Sequence, residues 1–153
     1  MSAGGARAWR LAGALCGLIV VADQAAKAAI EAHLVPGQHV SVLGPLGLTL
    51  THNTGVAFGL AGGAGAGLVV LTLAALIFVG CLFWRNPTRP GMWVAVGLLA
   101  GGALGNLADR VRAGAVTDYV DLPHWPPFNL ADAAITIGVV VLAIAYLQEP
   151  ESR

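Results

Sequence analysis

Two aspartates, Asp118 and Asp132, lie in a short polar stretch between two apolar segments of the sequence. Two carboxylates that lie close together cannot easily both ionise, so such a pair shares one proton. The ionised member can take a proton from water while the protonated member donates to a carbonyl oxygen. The pair could therefore hydrolyse an amide bond without a metal ion or a covalent intermediate. Asp121 lies between them and competes for either role.

Each carboxylate also has an ordinary structural interpretation. Asn129 and Asp132 stand at the start of an apolar segment, as in a helix with Asn129 at the N-cap and Asp132 in the first turn. Asp118 follows Val116 and Thr117 in a possible short strand, and could be a solvated loop acid. Spacing alone leaves the catalytic and the structural interpretations open.

Other hydrolytic chemistries have little support in this sequence. The four histidines are scattered, there is no H-E-x-x-H motif and no cysteine cluster, so no metal site is expected. There is no G-x-S-x-G motif. Cys16 and Cys81 lie in apolar runs without a basic neighbour, which is typical of core residues and not of a disulfide or a nucleophile. The sequence predicts no metal and no cofactor.

The composition is that of an integral membrane protein. Of the 153 residues 57% are hydrophobic and 10% are charged, whereas about a quarter are charged in soluble domains. Apolar segments at about 9–29, 60–84, 92–108 and 133–147 approach the length of a membrane span. The predicted fold is a membrane all-α bundle of four transmembrane helices, one domain over residues 1–153. The net charge of zero gives no sign of nucleic-acid binding.

The basic residues predict the orientation in the membrane. Four spans put both termini and the loop after the second span on one side, with five basic residues against three on the other. The first group is Arg7, Arg10, Arg85, Arg89 and Arg153, and the second is Lys27, Arg110 and Arg112. Positive charge favours the cytoplasmic side, so the termini are predicted to be cytoplasmic. The connections at about 30–59 and 109–132 then face outward.

The first outward connection has the pattern of a β-hairpin. The runs His39–Leu43 and 46–51 flank Gly44 and Pro45, a turn signal, and the second run alternates leucine with glycine or threonine. This predicts a small extracytoplasmic β element with one apolar face. The pattern fits a hairpin that only caps the bundle as well as one that binds a substrate.

Several charged residues near the outer boundary could be structural. Asp23 and Lys27 are spaced for an ion pair on one helix face. Asp109 lies near a helix C-terminus, where a carboxylate is disfavoured, so it is expected to pair with a cation such as Arg112. Arg110 could be an interface anchor or a substrate contact. Both interpretations of Arg110 remain open.

The third apolar segment carries glycines at a spacing of four residues, Gly97, Gly101 and Gly105. Such a spacing leaves one helix face without side chains, which allows another helix to approach closely. We therefore predict that this face packs against a neighbouring helix.

Five short motifs follow one another along the chain: Asp23-Gln24-x-x-Lys27, Asn53-Thr54-Gly55-x-Ala57-Phe58, Gly105-Asn106-x-x-Asp109-Arg110, Val116-x-Asp118-Tyr119 and Phe128-Asn129-x-Ala131-Asp132. In these motifs and in their order the sequence resembles, over nearly its whole length, the lipoprotein signal peptidases, also called signal peptidase II. The family consists of small four-helix aspartic peptidases of bacterial membranes.

The resemblance implies roles for individual residues. Asp118 and Asp132 would be the catalytic pair. Four residues would shape the active site or bind substrate: Asn53, Asn106, Arg110 and Asn129. Structural support would come from Asp23, Lys27, Gly105 and Asp109. Phe often follows the first catalytic aspartate in the family, where this chain has Tyr119; both are aromatic, so no change in activity is expected.

The resemblance also implies a substrate and a location. The substrate would be a prolipoprotein whose cysteine carries a diacylglyceryl group, cleaved just before that cysteine. The enzyme would lie in the bacterial cytoplasmic membrane among its lipids, with the active site near the extracytoplasmic face. Globomycin-type inhibitors would bind it.

Two alternatives belong to other functional classes. A small transporter could use the boundary carboxylates as a proton or cation site, and a structural bundle protein would use them only for capping and solvation. For a peptidase we add one expectation. A helix N-terminus favours the ionised form of Asp132, so the shared proton should reside mainly on Asp118.

Overall fold

The computed structural model describes residues 2–55 and 64–147, and these ranges contain four helices and four strands. In chain order they are α1 (Ala3–His33), β1 (His39–Leu43), β2 (Leu46–Asn53), α2 (Ala64–Arg85), α3 (Met92–Ala113), β3 (Val116–Leu122), β4 (Trp125–Phe128) and α4 (Leu130–Leu147). All four helices are long and apolar enough to cross a membrane. The predicted class, a four-helix membrane bundle with a small β element, is confirmed.

The helices extend beyond the apolar segments that located them. α1 starts before residue 9 and ends after residue 29, α3 continues to Ala113, and α4 begins at Leu130. The reason is that helices end at caps, not at the last apolar residue. Gly114, at φ 73°, ends α3 in the left-handed conformation that glycine adopts readily. Asp109 and Arg110 are therefore helical, and the second connection is shorter than the predicted 109–132.

Some predicted features fall on residues that are not described. The predicted start of the second apolar segment lies outside the described residues, as do Ala57 and Phe58 of the second motif and Arg153 of the orientation count.

α3 lies at the centre of the bundle and contacts the other three helices. A Cβ atom on Gly97 would lie 2.9 Å from Leu15 Cβ of α1, and one on Gly101 would lie 2.7 Å from Ile19 Cβ. Gly102 faces the other way and lies against the backbone oxygen of Ala131 at the start of α4. The glycine face is thus a packing face, as predicted, and it brings α1, α3 and α4 together.

Large apolar side chains cover the outside of the bundle. Leu18 of α1 and Val70 and Ile77 of α2 are 63%, 66% and 68% exposed. Apolar surface of this extent on long apolar helices is suited to contact with lipid chains.

The strands form one antiparallel sheet in the order β1-β2-β3-β4. The predicted hairpin is present: β1 pairs with β2, and Gly44 takes a positive φ of 53° in the turn. β2 also pairs with β3, which places Thr51 opposite Asp118. β4 was not predicted, because it contains Pro126 and Pro127; proline is tolerated in an edge strand such as this one.

Candidate active site

Asp118 lies in the middle of β3 and is 3% exposed. Asn129, at the start of α4, donates from its side-chain amide to Asp118 Oδ1 at 2.7 Å. Asn53, at the end of β2, donates to Asp118 Oδ2 at 3.0 Å. Asn53 is held in turn by the backbone N–H of Gly55, which donates to its Oδ1 at 2.9 Å. Both carboxylate oxygens of Asp118 therefore have amide donors.

Asp132 lies in the first turn of α4 and is partly buried. Asn106 of α3 donates to its Oδ1 at 2.7 Å, and the backbone N–H of Asn129 donates to its Oδ2 at 3.3 Å. Asn129 Oδ1 accepts from the backbone N–H of Asp132 at 2.9 Å. The predicted cap is confirmed, and it has the reciprocal form of a capping box.

Two asparagines join the two carboxylates into one network. Asn129 Nδ2 donates to Asp118 and lies 3.1 Å from Asn106 Oδ1, while Asn106 Nδ2 donates to Asp132. Asn129 is completely buried and Asn106 is 5% exposed. The structure thus brings together five of the predicted site residues, which are Asn53, Asn106, Asp118, Asn129 and Asp132.

The environment of Asp118 favours its protonated form. Burial raises the pKa of Asp118 above its ordinary value, and repulsion from the Asp132 carboxylate adds to this effect. The hydrogen bonds from Asn53 and Asn129 and the charge of Lys27 act in the opposite direction and do not cancel the rise.

A second buried cluster lies behind the network, between α1 and α3. Lys27 Nζ lies 2.8 Å from Asp23 Oδ2, 2.6 Å from Asp109 Oδ2 and 3.0 Å from Asn106 Oδ1. The predicted pair of Asp23 and Lys27 is confirmed. Arg112 also forms an ion pair with Asp109, with 3.4 Å between its Nη2 and Asp109 Oδ1, but its side chain is 63% exposed. Lys27 is closer and buried, so it is the main cation beside Asp109.

Gly105 and Gln24 complete this cluster. A Cβ atom on Gly105 would lie 2.7 Å from Asp23 Oδ2, so a side chain there would displace the carboxylate. Gln24 Nε2 lies 3.0 Å from Asp109 Oδ1 and 3.2 Å from the Gly105 carbonyl oxygen. Asp23 Oδ1 accepts from the backbone N–H of Ala131 at 3.0 Å, which ties the cluster to α4.

Two candidate residues are not joined to the carboxylates. Arg110 lies one helical turn beyond Asn106 on α3, partly buried, and its side chain has no hydrogen bond or ion pair with the described part of the chain. Asp121, the competing acid, is 3.1 Å from His39 Nε2 of β1, near the far end of the sheet. The structure therefore gives Asp121 a partner of its own outside the network.

Several contributors to this site were not identified as such in the sequence. Thr117 donates from its hydroxyl to Glu31 Oε1 at 2.6 Å, which ties β3 to the end of α1. The hydroxyl of Tyr119 accepts from the backbone N–H of Leu130 at 3.2 Å. These contacts join residues that are distant along the chain, and no local pattern signals them.

An apolar groove of about 540 Å³ opens beside Asp132. Its walls come from the last residue of β3, from β4 and from the first two turns of α4. They are Leu122, Trp125, Pro126, Pro127, Phe128, Asp132, Ala133, Thr136 and Ile137. Asp132 is thus an ionisable group in a mostly apolar wall. Among the described residues no three His, Cys, Asp or Glu side chains are grouped in a way that could hold a metal ion.

Comparison with known proteins identifies relatives over most of the chain. The family model described as signal peptidase (SPase) II matches residues 15–148. The chain is 41% identical over 138 residues to a lipoprotein signal peptidase of Pelotomaculum thermopropionicum, covering 88% of this chain and 90% of that protein. It is 44% identical over 133 residues to one of Brucella ovis, covering 83% of each.

Solved structures show the same fold. A bacterial membrane enzyme determined by the in meso method at 2.3 Å resolution superposes with a TM-score of 0.82 at 32% identity, covering 93% of this chain and 94% of that one. A second bacterial membrane enzyme structure, at 1.9 Å resolution, superposes with a TM-score of 0.80 at 31% sequence identity. The match covers 91% of this chain and 94% of that one. The protein is therefore a multi-pass bacterial membrane protein, and the transporter interpretation is not supported. The chain belongs to the signal peptidase II family of lipoprotein signal peptidases.

Proposed function

We propose that this protein is an aspartic endopeptidase that removes signal peptides from diacylglyceryl-modified prolipoproteins, with Asp118 and Asp132 as the catalytic pair. One observation carries the assignment: two carboxylates are joined through Asn106 and Asn129, and one of them, Asp132, lines an apolar groove. Membership of the peptidase family supports the same chemistry.

The two carboxylates would act as base and acid. Ionised Asp132 takes a proton from water, whose oxygen attacks the scissile carbonyl carbon, while protonated Asp118 donates to the carbonyl oxygen. The tetrahedral intermediate then collapses. Asp118 recovers its proton from a hydroxyl of the intermediate, and Asp132 gives its proton to the leaving amine. The C–N bond breaks and the pair returns to its singly protonated state.

Three asparagines would hold the pair in this state. Asn53, Asn106 and Asn129 donate to the carboxylate oxygens, so the carboxylates are oriented before substrate arrives. Arg110 is assigned a different role, as a substrate contact, because its guanidinium lies beyond Asn106 without a partner in the described residues. Asp23, Lys27, Gly105 and Asp109 would support the network from behind.

The groove would receive apolar parts of the substrate. A substrate anchored by a diacylglyceryl group and a signal helix is held at a fixed depth among the membrane lipids, which places its scissile bond near the carboxylates. We propose the groove beside Asp132 as the place where this anchored substrate lies. Globomycin-type inhibitors would occupy the same groove.

The orientation follows from charge. We propose that residues 1–153 form one membrane domain with cytoplasmic termini, since more of the basic residues fall on that side. The sheet and the carboxylate pair then lie near the extracytoplasmic face of the cytoplasmic membrane. Cysteine labelling of intact cells would test this orientation. In protein that carries Cys16→Ser and Cys81→Ser, a single new cysteine is placed either at Ser41 or at Thr88. A reagent that does not cross the membrane should label the cysteine at Ser41 and not the one at Thr88.

Cleavage of a diacylglyceryl-prolipoprotein by purified protein in detergent tests the function. We expect wild type to cleave before the lipidated cysteine with and without EDTA, and to leave the unlipidated prolipoprotein intact. Asp118→Asn and Asp132→Asn should each lower the rate by about 10²–10⁴-fold. Asp121→Asn is the matched control, because this acid on the same strand contacts His39, and it should cleave like wild type. Absence of cleavage by folded wild type would reject the proposal.

A further inference from the structure

The first backbone N–H groups of α4 all have acceptors, although a helix N-terminus normally leaves such groups unpaired. Those of Asn129 and Asp132 are accepted within the capping box. That of Ala131 is accepted by Asp23 Oδ1 at 3.0 Å. That of Leu130 is accepted by the hydroxyl of Tyr119 at 3.2 Å. The start of this helix is therefore held by side chains from α1 and β3 as well as its own.

Tyr119 makes a direct connection between the two elements that carry the carboxylates. It follows Asp118 in β3, it is 8% exposed, and its hydroxyl contacts α4 two residues before Asp132. A phenylalanine, which is common at this position in the family, would fill the same volume but could accept no hydrogen bond. The hydroxyl is thus a feature of this chain that the family resemblance does not explain, and its contact with Leu130 replaces the expectation that tyrosine here acts only as an aromatic ring.

We propose that Tyr119 is a positioning residue for the hydrolysis, whose hydroxyl fixes the first turn of α4 and thereby sets Asp132 relative to Asp118. The role rests on the proposed function. It is a role in catalysis and not in substrate binding, since Tyr119 does not line the groove beside Asp132.

The expected consequence follows from the burial of this contact. Without the hydroxyl the Leu130 N–H loses its acceptor in a region where Tyr119 and Asn129 exclude water. The first turn of α4 then samples other positions, and proton transfer through the pair is sensitive to such displacements.

Tyr119→Phe tests this, with Tyr146→Phe as the matched control. Both substitutions remove one hydroxyl and keep the ring. Tyr146 lies near the C-terminal end of α4, far from the start of that helix, and its hydroxyl has no hydrogen bond with the described residues. Rates are measured per folded molecule, beside wild type and Asp118→Asn, from about pH 4 to about pH 9.

We expect kcat of Tyr119→Phe to fall about fivefold, the effect of one hydrogen bond, with KM within about twofold of wild type. Hydrogen exchange should rise in the peptide that covers the start of α4. Tyr146→Phe should match wild type in all three measurements.

Three results would overturn the role. The first is a kcat of Tyr119→Phe equal to that of wild type, while Asp118→Asn is inactive; the proposed function would then stand without this residue. The second is an equal loss in Tyr146→Phe, which would reveal a general effect of hydroxyl removal. The third is absence of cleavage by folded wild type, which would reject the proposed function and this role together.

Discussion

Two pairs of aspartates lie near the sheet end of this bundle, and they are held in opposite ways. Between Asp23 and Asp109 lies the ammonium group of Lys27, within 2.8 Å of a carboxylate oxygen of each. Asp118 and Asp132 receive their hydrogen bonds from amides, and among the described residues no Lys or Arg forms an ion pair with either. Both pairs lie in one helix bundle, but only the first pair has a cation between its carboxylates.

The difference explains why one pair suits structure and the other suits catalysis. Lys27 forms an ion pair with Asp23 and with Asp109, and such a buried arrangement suits the joining of α1 to α3. Amide donors orient carboxylates without neutralising them, which leaves two like charges to share a proton. Proton sharing is what general acid–base hydrolysis requires.

Asn106 connects the two pairs. Its Oδ1 lies 3.0 Å from Lys27 Nζ, and its Nδ2 donates to Asp132 at 2.7 Å. Because an amide oxygen cannot donate, the ammonium of Lys27 determines which way this side chain faces. The cluster of Asp23, Lys27 and Asp109 thereby orients a donor of the proposed catalytic pair.

Removal of the cation should produce the largest effect on stability. In Lys27→Met, Asp23 and Asp109 remain buried without their main partner, and breaking a buried ion pair typically costs about 3–5 kcal/mol. We expect a loss of this size in the free energy of unfolding in detergent, with Lys27→Arg much less affected. A loss below about 1 kcal/mol, as for an exposed pair, would show that the cluster is not structural.

The next largest effect is expected on catalysis, when Asn106, the side chain that connects the two pairs, is replaced. Asn106→Leu removes the hydrogen bond to the Asp132 carboxylate, a charged bond whose removal corresponds to about 10–100-fold in kcat. Single-turnover rates on a diacylglyceryl-prolipoprotein measure this. If kcat stays within about threefold of wild type, the orientation of Asp132 does not depend on Asn106.

The pH dependence of stability should sharpen the contrast between the pairs. The pKa of Asp118 is raised above its ordinary value of about 3.9, mainly by burial, so the folded protein binds this proton more tightly than the unfolded chain. Stability contributed by this proton falls as pH rises from about 4 through the raised pKa, and is constant above it. The Tm of wild type minus that of Asp118→Asn should therefore decrease over this range.

Because the pKa of Asp118 is raised, we predict that the proton shared by the pair resides mainly on Asp118. Infrared spectra of protein with ¹³C-labelled aspartate carboxyls should show a protonated carboxyl band near neutral pH that disappears in Asp118→Asn. A band that persists in Asp118→Asn and disappears in Asp132→Asn would place the proton on Asp132 instead, and a Tm difference independent of pH would agree with that result.

The smallest effect is expected at the strand that carries Asp118. Thr117→Val removes the hydroxyl that donates to Glu31, and should lower the free energy of unfolding by about 1–3 kcal/mol. Thr136→Val, whose exposed hydroxyl bonds only within its own helix, is the control and should be close to neutral. Equal stability of Thr117→Val and wild type would show that α1 does not anchor β3.

The sequence predicted the elements whose signals are local. Apolar length located the four helices, the glycine spacing identified the face of α3 that packs on α1, and Asn129 with Asp132 predicted the cap of α4. Helix ends were less accurate, because hydropathy reports the apolar part of a helix and not its caps.

Contacts between distant segments could not be predicted in this way. Nothing near Lys27 in the sequence indicates that its third partner is Asn106, and nothing near Tyr119 indicates a hydrogen bond to Leu130. Such contacts depend on how helices and sheet pack, which one sequence does not reveal. They are nevertheless the contacts that orient the carboxylates.

The most direct test of the account compares one member of each pair. Cleavage and unfolding are measured together for Asp118→Asn and Asp109→Asn, with each rate expressed per folded molecule. The account predicts that Asp118→Asn folds and loses cleavage by about 10²–10⁴-fold. Asp109→Asn should be less stable than wild type, and its folded molecules should still cleave. Cleavage that survives in Asp118→Asn, or is lost from folded Asp109→Asn to the same extent, would contradict the division of the two pairs.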